Sequence, residues 1–113
     1  MNPYLRIIEP EISVIGRKVV AKFKLEQVTS NEVYRISLFA HSHIDVSNKL
    51  NIVNRTEELN RSITDGEAFE LSINLDDYTS TLVPGKSYYF RIGAQSHGSE
   101  TKYNYSASVQ LDI

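Results

Sequence analysis

His41-Ser42-His43 is the first arrangement in this chain that could do chemistry. In an extended segment two such imidazoles share one face and can chelate a divalent cation, with His97 as a possible third donor. Two carboxylate pairs, Glu57-Glu58 and Asp76-Asp77, could hold calcium. The rhythm of Asp, Asn and Gly that builds a calcium loop is missing around both, so solvated charge is the expectation. Ser, His and Asp all occur, but without a Gly-x-Ser-x-Gly elbow, a His-Glu-x-x-His pair or a glycine-rich phosphate cradle. No catalytic residue, no metal site and no cofactor are therefore expected.

Composition narrows the field further. A chain of 113 residues reads as a single domain, 1–113, that can bury about two-thirds of its unfolded surface without metal or disulfide staples. Its 41% hydrophobic and 23% charged residues belong to an ordinary globular protein. A net charge of -2 exerts no long-range pull on phosphate, which argues against nucleic acid as a partner. With no cysteine, disulfides, thiol catalysis and thiolate metal sites all drop out. The opening "MNPYLRIIEPEIS" carries acids where a signal peptide has its apolar core, and no run is long enough to span a membrane as a helix. The chain then reads either as intracellular or as a module of a longer exported protein; an extracellular, cell-surface or virion setting is the favoured expectation.

The elements that would carry any site are strands. Val19, Ala21, Phe23 and Leu25 alternate with Lys22, Lys24 and Glu26. The sets Tyr34/Ile36/Leu38/Ala40, Phe69/Leu71/Ile73/Leu75 and Tyr88/Phe90/Ile92/Ala94 repeat the pattern. So does Tyr103/Tyr105/Ala107/Val109/Leu111/Ile113 at the C-terminus. One-sided alternation of period two puts one face on a core and the other in water, as in antiparallel sheets. Gly16, Asp65-Gly66, Pro84-Gly85 and "SHGSE" punctuate the runs as turns, and Pro10 fits an edge strand that lacks one ladder donor. Residues 54–63 predict no more than a single turn within a loop. The fold class expected is all-β: a two-sheet antiparallel sandwich of about seven strands.

"LVPGKSYYFRIGA", residues 82–94, resembles the corner and following strand of a fibronectin type III domain, with Leu82, Pro84, Gly85, Tyr88, Phe90, Arg91, Ile92 and Ala94 in register. The resemblance implies a tyrosine corner, in which the Tyr88 ring fills core space and its hydroxyl bonds to upstream backbone. It also implies a Trp in the second strand; this chain has none, and Phe23 takes that role. Under the same resemblance the strands carrying His41 and His97 are antiparallel neighbours, which puts the two ends of the candidate metal set apart.

The outward residues remain as the candidate binding set. Arg35, Phe39, Tyr89 and Arg91 would share the solvent face of two neighbouring strands as an aromatic-basic patch, with His97 in the following loop. The family resemblance implies a non-catalytic spacer or interaction module that contacts a protein partner or neighbouring domains of the same polypeptide. A carbohydrate-binding module using Tyr34, Tyr78, Tyr89 or Tyr103 is the alternative, and a self-assembling structural subunit a third.

Overall fold

The computed structural model describes residues 5–27, 32–47, 50–64, 66–96 and 103–113. Their strands are β1 (Leu5–Ile15), β2 (Lys18–Gln27), β3 (Val33–His41), β4 (Val53–Arg61), β5 (Glu67–Asn74), β6 (Ser87–Ser96), β7 (Tyr103–Tyr105) and β8 (Val109–Asp112). A short 3-10 helix, Leu75–Tyr78, follows β5. All pairings are antiparallel. One sheet has the order β1-β2-β5; the other runs β4-β3-β6-β7, with β8 also on β6. The two pack face to face around a core that includes Val19, Phe23, Leu25, Leu38, Leu71, Ile73, Phe90 and Ile92. The all-β sandwich expected from the alternation is the fold.

Local chemistry explains the elements. Ile15 pairs with Lys18 across a two-residue hairpin loop, and Gly16, at φ 61, supplies the positive φ that such a loop needs at its first position. Pro10 lies in a bulge of edge strand β1, where the register shifts between Ile8 and Glu11 and Glu9 takes φ 51. At the corner before β6, Leu82 is fully buried and the Val83 N–H donates to the Tyr88 hydroxyl oxygen at 2.9 Å. The tyrosine corner is thus present. Tyr88→Phe should destabilise the fold by about 1 kcal/mol, while Tyr89→Phe should leave it unchanged. Urea unfolding followed by far-UV circular dichroism measures both.

Three details depart from the pattern read in the sequence. Residues 53–61 form strand β4 on the edge of the larger sheet, not a turn in a loop. Its partners show why the pattern was hidden: Arg55 pairs with Leu38 and Glu57 with Ile36, so charges occupy its inward face. Inward charge on an edge strand is a device against edge-to-edge aggregation, and it erases the alternation. Second, a register shift between Val33 and Arg35 sends Val33, not Tyr34, into the core. Third, the last strand is broken. Gly93 pairs with Tyr105, but Phe90 pairs with Val109, so one extra residue is accommodated between β7 and β8. Val109, Leu111 and Ile113 pack on the core, Tyr105 lies on the outer face and Ala107 is exposed.

Candidate functional site

The patch anticipated on the outer face of β3 and β6 is assembled, but most of it is spent on packing. Phe39 and Arg91 are directly opposite each other, and Tyr89 pairs with His41 on the next outward row. Contrary to expectation Phe39 is only 3% exposed. Its ring meets that of Tyr105 at 6.2 Å between centroids, and the Arg91 guanidinium stacks over the same tyrosine at 4.7 Å. Arg91 also donates from Nε to the Ser106 carbonyl at 2.7 Å and from Nη1 to the Val46 carbonyl at 3.3 Å. It thereby fastens both the kink after β7 and the loop after β3. Arg35 donates from Nε to Gln95 Oε1 at 2.8 Å and lies over the Tyr34 ring. Tyr89 is half-buried, and His97 falls outside the described residues.

The histidine and carboxylate sets are likewise dispersed. His41 Nδ1 accepts the His43 N–H at 3.0 Å, and His43 Nδ1 accepts the Asp45 N–H at 3.1 Å. These rings are occupied with turning their own loop. Asp76 forms an ion pair with Arg17 at 2.9 Å. Among the described residues no three His, Cys, Asp or Glu side chains come together as a metal set. Arg61 grips Glu67 with two parallel bonds of 3.2 and 2.5 Å. That fork is the first cause that holds the Glu67 carboxyl below its ordinary range, with the Thr64 N–H adding to it. Arg61 is exposed and Glu67 half-buried, and the pair serves to tie β4 to the start of β5.

Two concavities stand out among the described residues. The larger, about 350 Å³, opens beside the β1 bulge over Phe23, Ala68 and Phe69. Both of its cations are already paired, Lys24 with Glu9 at 3.3 Å and Lys22 with Glu70 at 4.0 Å, which leaves Glu11 as the remaining charge on its rim. The smaller, about 250 Å³, is a polar groove where the β4 and β5 edges meet, and it has the better chemistry for a ligand. Lys18 and Asn74 pair across β2 and β5, which places both on the outer face of that sheet. Arg55, on the inward face of β4, enters from the other sheet. Asp77 and Tyr78 come from the 3-10 helix, Ser72 and Ile73 from β5.

That helix is rigidly seated. Leu75 is buried in the core, and its N–H donates to the Arg17 carbonyl at 2.9 Å. The Asn74 side chain caps the first turn by accepting the Asp76 N–H, and the Tyr78 carbonyl accepts from Thr81 and Leu82. With Leu75 committed inward, the three residues after it face solvent, and Tyr78 is 37% exposed. The groove therefore offers an exposed aromatic edge beside fixed hydrogen-bonding groups. Sequence reading named Tyr78 among the candidate tyrosines but missed Arg55 and Lys18. The signal for Arg55 was present only as a charge at a position that strand pairing later turned inward.

The solved structures that this chain matches share the whole of the sandwich. A "putative carbohydrate binding protein" from Bacteroides uniformis superposes with a TM-score of 0.91 at 28% identity, over 98% of this chain and 58% of its own. A DUF3823 family protein from Parabacteroides merdae gives 0.80 at 22% identity, over 97% and 53%. One from Bacteroides ovatus gives 0.79 at 18%, over 97% and 56%. The chain thus spans little more than half the length of these relatives. No curated protein sequence matches it. The family described as "Domain of unknown function (DUF3823_C)" matches residues 5–110, nearly the full chain, and to that family the chain belongs.

Proposed function

We propose that this domain is a non-catalytic carbohydrate-binding module and that the groove between β4 and β5 is its site. The observation that carries the reading is Tyr78, a partly exposed ring seated on a bonded helix, beside Lys18, Arg55, Asn74 and Asp77. Sugars present C–H faces that stack on aromatic rings and hydroxyls that both donate and accept, which is the mixture this groove supplies. The 28%-identical neighbour whose name assigns it carbohydrate binding supports the same class. Calorimetric titration with a panel of soluble polysaccharides tests it. Tyr78→Ala should weaken the best ligand by about tenfold or more, and Tyr89→Ala should leave it unchanged. Equal binding by wild type and Tyr78→Ala would remove the groove from consideration.

A spacer or protein-contact role has its own observation. Ile44, Leu50 and Ile52 are exposed on the loop between β3 and β4 at 55, 39 and 42%. Such a loop suits contact with a neighbouring domain of a longer polypeptide.

A further inference from the structure

Resting on the carbohydrate reading of the groove, we propose that its ligand is an acidic glycan, one whose sugar carries a carboxylate or a sulfate. The argument is the state of the cations. Arg17, next to Lys18 in the chain, is neutralised by Asp76, and Arg61, at the far end of β4, by Glu67. Lys18 and Arg55 are different: neither forms an ion pair with any described residue, and both line the same groove. They arrive from opposite sheets, Lys18 from β2 and Arg55 from β4, so no local helix or hairpin rule accounts for their meeting.

The groove wall holds two cations against one carboxylate, Asp77, in a protein of net charge -2. A local excess of positive charge on an acidic protein marks a place where an anion is favoured. The guanidinium of Arg55 offers the planar donor fork that matches a carboxylate or sulfate with two parallel bonds. Lys18 adds a point charge that needs no fixed geometry. Asp77 accepts from sugar hydroxyls, and Tyr78 gives the ring a face to lie on. The anion selects, and the tyrosine and hydroxyl contacts hold the sugar.

Matched polymers separate this proposal from the reading beneath it. The full chain is titrated calorimetrically with polygalacturonate and its fully methyl-esterified form, and with dextran sulfate and dextran. At least one charged polymer should bind about tenfold more tightly than its neutral counterpart. Arg55→Gln and Lys18→Gln should erase that advantage, whereas Lys24→Gln, outside the groove, should keep it. Which of the two pairs responds identifies carboxylate or sulfate. A neutral polymer bound as tightly as its charged form, still dependent on Tyr78, would overturn the acidic-ligand proposal and leave carbohydrate binding standing. Charged polymers bound equally by wild type and both groove variants would mean diffuse attraction and overturn it too. No binding to any member would count against both. Arg55 and Lys18 are exposed, so unchanged urea midpoints should show the variants folded.

Discussion

Phe39→Ala is expected to destabilise the domain by about 3 kcal/mol, although Phe39 points away from the sandwich core. On the alternation of β3 alone it should sit in water, where its loss would matter little. The structure instead builds a second, smaller apolar cluster on the outer face of the β4-β3-β6-β7 sheet. Gly93 is what makes this possible. It pairs with Ser37 on one side and Tyr105 on the other, and with no side chain at that point the Tyr105 ring lies diagonally towards Phe39. Arg91 covers the tyrosine and holds Val46, itself fully buried, through its carbonyl. Removing the Phe39 ring breaks its contact with Tyr105 and opens a void among these groups. The lower end of the range for a buried Phe is appropriate because covering side chains can relax into part of the space. Urea unfolding of Phe39→Ala beside Phe39→Leu measures it. A loss under about 0.5 kcal/mol would mean that the outer cluster contributes nothing to stability.

What the sequence made legible was β2, β5 and β6. β2 and β5 each have one buried and one wet face, and β6 alternates apolar residues on the core with Tyr89, Arg91 and Gln95 on the covered outer face, so their registers can be read directly. β4 and the start of β3 resisted the same treatment for physical reasons. β4 puts Arg55 and Glu57 on its inward side, where the sandwich is open, and so shows no alternation at all. β3 is read correctly from Ile36 onward, but the shift at Val33 and Arg35 exchanges faces for the two residues before it. Alternation describes the backbone's two sides; it does not say which side a neighbouring loop will cover.

The candidate site was legible in its chemistry and not in its assembly. Tyr78 was visible as a tyrosine beside two acids, and Lys18 as an outward cation. Their convergence with Arg55 depends on two facts with no local signature. One is that 53–61 is a strand at all; the other is that its edge touches β5 across the sandwich. The patch formed by Arg35, Phe39 and Arg91 is the opposite case. The residues do lie near one another, but each already has a partner inside the fold. Proximity of aromatic and basic residues on a sheet therefore marks a binding surface only when their polar atoms are still free, and the groove at Arg55 and Lys18 meets that condition among the described residues.

Deleting Ala107 and Ser108 together should cost about as much as Phe39→Ala, and for a reason that no side-chain contact of Ala107 supplies. Ala107 is exposed, so its methyl group contributes little. With that of Ser108, its backbone supplies the count that lets β7 and β8 pair with β6 in different registers. Tyr105 and Val109 are four steps apart where their partners Gly93 and Phe90 are three apart. Removing one residue therefore restores a regular strand with both on their present faces, whereas removing two puts them on one face. Either Tyr105 stays over Phe39 and Val109, Leu111 and Ile113 turn outward, or those three stay on the core and Tyr105 is driven inward. In the first case three half-buried apolar side chains lose their burial, a loss of about 3 kcal/mol in total. The second sacrifices the outer cluster and forces a tyrosine into filled space, at similar expense. Ser106 adds to the loss in both: its hydroxyl accepts the Ile92 N–H at 3.1 Å, and its own N–H donates to the Ile92 carbonyl at 2.9 Å. Ala107→Gly keeps the count and changes only local freedom, so it should cost less than about 1 kcal/mol. Urea midpoints of the two variants, side by side, isolate register from chemistry. If the double deletion is as mild as the glycine substitution, the pairing of β7 and β8 with β6 is not what holds the C-terminal strand on its two faces.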